Sequence, residues 1–77
     1  MKVSEFLRIL LRKPLEYEIE RQKGSHRTMT SSNGFGRLLF SGHEGDEVGP
    51  TRIKKILVDQ VGLTEEQAIR LLREGKL

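Results

Sequence analysis

The sequence predicts a two-layer α+β domain, in which a three-stranded antiparallel sheet packs on helices. Three observations indicate this fold class. Apolar residues repeat with helical spacing towards both ends of the chain, they alternate with glutamates in between, and Asn33-Gly34 marks a turn between strands. Residues 1–77 suit a single domain, and a chain of this size buries only about 60% of the surface that its unfolded form exposes. A large catalytic cavity is therefore not expected.

The first helix is predicted at the amino end, with Ser4 as its N-cap. Its apolar positions share one helical face: Val3, Phe6, Leu7, Leu10 and Leu11. Pro14 cannot continue the helix and should end it. The period then changes from 3.6 to 2, because Leu15, Tyr17 and Ile19 alternate with glutamates. This pattern predicts a first strand with one face on the core, after which Lys23-Gly24 turns the chain back.

Asn33-Gly34 sets the register of the second and third strands, since this pair suits a two-residue type I′ turn. The register pairs Met29 with Leu38, and His26 with Ser41. Three residues then face the helices: Met29, Leu38 and Phe40. We call the other side of the sheet the open face, and the residues predicted there are His26, Thr28, Thr30, Arg37, Leu39, Ser41 and His43. On this register His43 lies diagonal to His26, at about 7–8 Å.

Two further helices are predicted after a glycine-rich loop. Pro50 suits a first helical turn, and Gly62 suits a helix end. The buried stripe of this second helix is Ile53, Ile56, Leu57 and Val61. Arg52, Lys54 and Lys55 lie off the stripe, either on a solvated face or in contact with phosphate. The Thr64–Gln67 segment is a capping box that opens a short third helix, whose inward residues are Ala68, Leu71 and Leu72.

Composition narrows the chemistry that is open to the chain. It contains no cysteine, and its two histidines have no carboxylates at ligand spacing, so we expect no metal site and no cofactor. A formal charge of +3 and a pI near 9.6 permit a polyanionic partner. Charged residues interrupt the apolar amino end and no small-residue cleavage site follows. We therefore expect a cytoplasmic protein with no membrane partner.

The candidate site is the basic segment Arg21–Arg27, where His26 follows Gly24-Ser25. Histidine exchanges protons near neutral pH, and Lys23 and Arg27 are suited to hold a phosphate beside it. The alternative is a surface hairpin that happens to contain a histidine. In the same way, His43 is either a second functional histidine or a polar residue that ends an edge strand.

The segment Gln22–His26 at a strand turn resembles the HicA-type mRNA interferases, the toxin half of toxin–antitoxin pairs. The resemblance runs nearly end to end. It includes the opening Met1–Leu7, the second histidine His43 and the segment Val61–Glu66. Two positions depart from the family pattern: Glu16-Tyr17 replaces a glycine followed by an aromatic residue, and Gly42 replaces a proline before the second histidine.

The resemblance implies a fold like that of the double-stranded-RNA-binding domain, ribonuclease activity that depends on His26, and a HicB-type antitoxin as partner. RNA can be cut without a metal when a base removes the 2′-hydroxyl proton and the oxygen attacks the adjacent phosphorus. His26 is the candidate general acid/base, with Lys23, Arg27 and other cations stabilising the phosphate. The residues expected to contact mRNA are Lys23, Gly24, Ser25, Arg27, Arg37 and His43. The general acid stays open between His43 and Lys23.

Two functions other than an RNA endonuclease remain open from sequence. One is a non-catalytic RNA-binding module of the same fold, and the other is a small adaptor that binds only protein. The Gly-Ser-His turn favours the nuclease, because a protein that reads only RNA shape needs basic residues but no histidine on its sheet.

Overall fold

The structure is a computed structural model that describes residues 1–77. Its elements follow the predicted order: α1 (Val3–Leu11), β1 (Tyr17–Lys23), β2 (His26–Ser31), β3 (Leu38–Ser41), α2 (Pro50–Lys55), a π-helical continuation (Ile56–Val61) and α3 (Glu65–Glu74). The three strands form one antiparallel sheet in the order β1-β2-β3. This arrangement confirms the predicted α+β fold, which is like that of the double-stranded-RNA-binding domain.

One face of the sheet and the helices enclose a core of 17 buried apolar residues. Met29, Leu38 and Phe40 belong to it, as predicted, and each is at most 2% exposed. The rings of Phe6 and Phe40 meet edge to face, with their centroids 5.6 Å apart, which is a favoured aromatic geometry. The core therefore joins α1 directly to the last strand of the sheet.

The first helix begins two residues earlier than an N-cap at Ser4 would allow. Lys2 is the N-cap, and its backbone N–H donates to Glu5 Oε1 at 2.8 Å. The prediction that Ser4 caps the helix is wrong, because Ser4 lies inside the first turn and its N–H donates to the Glu44 carbonyl. The loop before α2 thus supplies an acceptor that a capping side chain would otherwise provide. The helix ends at Leu11, before Pro14, as predicted.

The first strand buries Leu15 and Tyr17 at its start but not the next residue of the predicted pattern. Ile19 is 42% exposed, so its predicted burial is wrong. It pairs with Met29 on the helical side, but β1 is an edge strand and the helices do not fully cover it. The ladder also has a β-bulge between Ile19 and Arg21 that the alternating pattern did not predict.

The predicted register of β2 and β3 is confirmed, whereas the two-residue turn is not. Four pairs form, from His26 with Ser41 to Met29 with Leu38. The strands then separate, and residues 32–37 connect them. Asn33 Nδ2 donates to the Pro14 carbonyl at 2.7 Å, and Gly36 N–H donates to the Val61 carbonyl at 3.2 Å. These hydrogen bonds attach the connection to Pro14 and Val61, and they form in place of the β2–β3 pairs predicted beyond Met29 and Leu38.

The second helix buries the predicted stripe, but its second half is a π-helix. Pro50 occupies the first turn of α2, and the chain turns at Gly62 with φ of 94°. The residues of the stripe, Ile53, Ile56, Leu57 and Val61, are all buried. The sequence did not predict that the second half is π-helical. From this segment Gln60 Oε1 accepts the Leu39 N–H at 2.9 Å, which covers the outer edge of β3.

The third helix opens with the predicted capping box. Gln67 N–H donates to Thr64 Oγ1, and Thr64 N–H donates to Gln67 Oε1. Ala68 and Leu71 are buried as predicted, but Leu72 is 37% exposed, so its inward assignment is wrong. No helix has the length and hydropathy needed to cross a membrane.

Candidate active site

The candidate site is built on the tight turn between β1 and β2. Lys23 pairs with His26, so only Gly24 and Ser25 lie between the strands. Gly24 adopts φ of 59°, a left-handed value that glycine tolerates without strain. As a result His26 is the first residue of β2, and Lys23 lies directly across the ladder from it. Both residues are exposed.

The register places His26 on the open face with a group of hydroxyl-bearing and basic residues. On β2 it is followed on this face by Thr28 and Thr30, and its partner on β3 is Ser41. A shallow depression of about 160 Å³ lies between the strands here. Four of its lining residues belong to the open face: His26, Thr28, Leu39 and Ser41. The other two, Arg27 and Phe40, lie between them along the strands, and their side chains are buried on the helical side. Leu39, which pairs with Thr28, is 65% exposed, as the sequence predicts.

None of the three ion pairs of the structure involves His26 or Lys23. The imidazole and the ammonium group are therefore free to meet a substrate. A histidine beside a cation can exchange a proton with a hydroxyl group while the cation stabilises a nearby oxyanion. That combination suits acid–base chemistry at a phosphodiester.

A comparison with protein families identifies the group to which the chain belongs. Residues 3–63 match the family model of the HicA toxin of bacterial toxin–antitoxin systems. The chain belongs to the HicA toxin family. The match covers both the Gly-Ser-His turn and the whole sheet. No curated protein and no solved structure matches the chain.

Arg27 lies on the other side of the sheet from His26. Adjacent strand residues point to opposite faces, and the Arg27 side chain is buried, with the residue 7% exposed. Its Nη1 donates to the Gly42 carbonyl at 2.9 Å. The sequence led us to expect that Arg27 holds a phosphate beside His26, but its guanidinium is buried on the other side of the sheet. In this HicA-family chain Arg27 fixes the backbone that follows β3.

His43 is outside the sheet. β3 ends at Ser41, and His43 begins a turn in which its N–H donates to Asp46 Oδ2 at 3.4 Å. The prediction that His43 is a diagonal neighbour of His26 on the strand is wrong. Gly42 before it has φ of 155°, which proline cannot adopt. At this point the HicA-family pattern of a proline before the second histidine does not fit the backbone of this chain.

Two further basic residues near the sheet, Arg37 and Arg52, already contact other groups of the protein. Arg37 lies in the connection before β3, and its Nη2 is 3.5 Å from Glu20 Oε1, with both side chains at least half exposed. The predicted pair of Arg37 with Thr30 does not form. The Arg52 guanidinium lies 4.9 Å from the centre of the Phe40 ring and donates to the Ser41 carbonyl. Arg52 is therefore docked on β3, in a way that neither sequence alternative describes.

Arg21 also lies on the open face, which the alternating sequence pattern did not predict. Because of the bulge, Arg21 pairs with Thr28, two residues along β2 from His26. The sequence held one signal for this. Plain alternation after Tyr17 and Ile19 would put the charged residues Arg21 and Lys23 on the helical side, and an extra residue in the strand avoids that cost.

Proposed function

We propose that this toxin is an RNA endonuclease that cleaves mRNA in the cytoplasm and thereby arrests translation, with His26 as its general acid/base. One observation carries the proposal: in a chain of the HicA toxin family, an exposed histidine stands directly across a two-residue turn from a lysine. The open face offers hydroxyl groups next to the exposed Lys23, and no cavity deep enough to enclose a small molecule. A polymer laid across the sheet suits that shape.

The proposed reaction is a transesterification that begins with proton removal. His26 accepts the proton of the 2′-hydroxyl, and the resulting oxygen attacks the adjacent phosphorus. The bond from phosphorus to the 5′-oxygen then breaks, and that oxygen takes a proton. Lys23 stabilises the negative charge that builds on the phosphoryl oxygens. We favour Lys23 as the acid, because it lies directly across the ladder from His26, whereas His43 lies in the turn beyond β3.

Substrate contact is proposed for the residues at the same end of the sheet. Gly24 and Ser25 let the RNA backbone approach the turn, since Gly24 has no side chain to obstruct it. Arg37, and His43 from its turn, lie outside the strands and add contacts at the periphery. Arg27 contributes indirectly, by holding the Gly42 carbonyl, and is not proposed to touch phosphate.

The decisive experiment is His26→Ala, compared with Thr30→Ala on the same strand and face. His26 is exposed, so its removal leaves no core cavity and stability should change by no more than about 0.5 kcal/mol. RNA affinity should fall slightly, because the cations provide most of the attraction to phosphate. RNA cleavage should fall by about 10² or more for His26→Ala and little for Thr30→Ala.

Two results would count against the nuclease. Undiminished cleavage by His26→Ala would remove the catalytic assignment. A folded wild-type protein that binds RNA but never cuts it would favour the alternative, a non-catalytic RNA-binding module of the same fold.

We further propose that a HicB-type antitoxin inhibits the toxin by covering the open face. Leu39, 65% exposed on this face, gives apolar contact, while acidic groups of the antitoxin meet Lys23 and Arg37. Hydrogen exchange of the complex should show protection of β2 and β3 at His26 and Leu39. Protection confined to the helices, with His26 still open to solvent, would contradict inhibition by occlusion.

A further inference from the structure

We propose that Arg21 is a second phosphate-binding residue of the open face, and that it holds the phosphate next to the one that is cleaved. This inference rests on the proposed function of the same face. It assigns a purpose to the β-bulge, which is otherwise an irregularity in the ladder.

The bulge changes which side of the sheet the end of β1 presents. Ile19 pairs with Met29 on the helical side, and the next paired residue is Arg21 with Thr28. Glu20 is the additional residue. In an uninterrupted ladder Arg21 would pair with Arg27 and share its buried side, where two guanidinium groups would lie next to each other. The bulge instead puts Arg21 on the open face.

Arg21 and Lys23 then form a row along one strand. They pair with Thr28 and His26, so both lie on the open face. Residues two apart in a strand are roughly 7 Å apart, which is close to the spacing of successive phosphates in an extended RNA strand. With Lys23 opposite His26 at the phosphate that reacts, Arg21 meets the neighbouring phosphate.

The charges around Arg21 leave it free for this contact. Arg21 is exposed and takes part in none of the three ion pairs. The nearest acidic residue along the chain, Glu20, is paired with Arg37 at 3.5 Å. A free guanidinium can bind phosphate with two parallel hydrogen bonds, which an ammonium group cannot do. Because it acts one phosphate away from the reaction, Arg21 should affect binding more than the chemical step.

The test measures RNA binding as a function of salt in the His26→Ala background, where the RNA stays intact. With a single-stranded RNA, each phosphate contact contributes about 0.7 to the slope of log affinity against log salt. Arg21→Gln should lower that slope by about 0.7, whereas the matched control Arg70→Gln on α3 should leave it unchanged. With His26 present, Arg21→Gln should raise KM and change kcat little.

A pair of deletions tests the role of the bulge. Removing Glu20 or removing Arg21 leaves β1 one residue shorter in both cases and allows a regular ladder. The two proteins then differ only in the residue opposite Thr28, which is arginine in the first and glutamate in the second. The slope should be larger by at least about 0.7 in the protein that keeps the arginine. Circular dichroism verifies folding, and if a deletion prevents folding, Arg21→Gln decides alone.

The outcomes separate this inference from the proposed function. If Arg21→Gln leaves the salt dependence of RNA affinity unchanged, the proposed role of Arg21 is wrong, even if His26→Ala abolishes cleavage. A lowered slope together with undiminished cleavage by His26→Ala supports Arg21 and overturns the nuclease mechanism. A protein that does not bind RNA at all overturns both.

Discussion

The two faces of the sheet carry different tasks on the same strands. On β3, Leu38 and Phe40 are at most 2% exposed and pack on the helices, whereas Leu39 between them is 65% exposed. On β2, buried Met29 alternates with Thr28 and Thr30 of the open face. Because successive residues point to opposite sides, substitutions a single residue apart can affect stability alone or function alone.

The strongest test of this separation compares Phe40→Ala with Leu39→Ala. Phe40 contacts the Phe6 ring in the core and the Arg52 guanidinium, so its truncation should cost about 3–5 kcal/mol of unfolding free energy. Leu39→Ala should change it by no more than about 0.5 kcal/mol. Denaturant titration measures both. Losses of similar size would mean that the open face also stabilises the fold.

A smaller effect is expected where the connection between β2 and β3 meets the helical layer. A Cβ at Gly36 would overlap the backbone carbonyl oxygen of Gln60, and that backbone cannot move without disturbing the π-helical segment. Gly36→Ala should therefore cost about 1–3 kcal/mol. Gly45→Ala is the control, because no atom lies within 4 Å of the Cβ that it would add. A tolerated Gly36→Ala would show that this contact is not rigid.

The helical face was predictable from sequence because its register depends on burial. Shifting β2 against β3 by one residue would expose Met29 and bury Thr28, so four pairs formed as predicted even though Asn33-Gly34 is not a two-residue turn. The turn itself depends on contacts from distant residues, such as the Pro14 and Val61 carbonyls. The residues of the turn alone therefore could not predict its conformation.

The open face was predicted less completely. His26 and Leu39 lie where the sequence placed them, since the β2–β3 register decides both. Arg27 was expected to hold a phosphate beside His26, but its position next to His26 in the strand puts its side chain on the opposite side of the sheet. His43 does not lie where the sequence placed it, since β3 ends at Ser41. Arg21 was missed because a bulge adds a residue without changing the composition of the strand.

A further effect is expected on the helical side of the sheet, where the free energy of unfolding should fall at alkaline pH. Burial raises the pKa of Tyr17 from 10.0 to about 12, and its hydroxyl donates to the Gly36 carbonyl. The unfolded chain loses this proton at lower pH than the folded one. Tyr17 therefore stabilises the fold fully below about pH 10, and this contribution is lost as the pH rises towards about 12.

Denaturant titrations across that range measure the effect, and Tyr17→Phe is the control. The variant should be less stable at neutral pH, because the Gly36 carbonyl loses its donor. It should also show a smaller decline above about pH 10. An equal decline in both proteins would assign the alkaline transition to other groups.

The smallest expected effect is that of a chelator on RNA cleavage, and it concerns the open face alone. Nowhere in the structure do three or more His, Asp or Glu side chains come together in a group that could hold a metal ion. The carboxylate of Glu20 on β1 is already paired with Arg37. In the proposed mechanism Lys23 supplies the positive charge at the reacting phosphate that a metal ion would otherwise supply. Cleavage in excess chelator should therefore equal cleavage without it, with His26→Ala prepared in parallel to show that no contaminating nuclease is being measured. If chelation abolished cleavage and a divalent ion restored it, the proton transfer assigned to His26 would have to be replaced by metal-assisted attack.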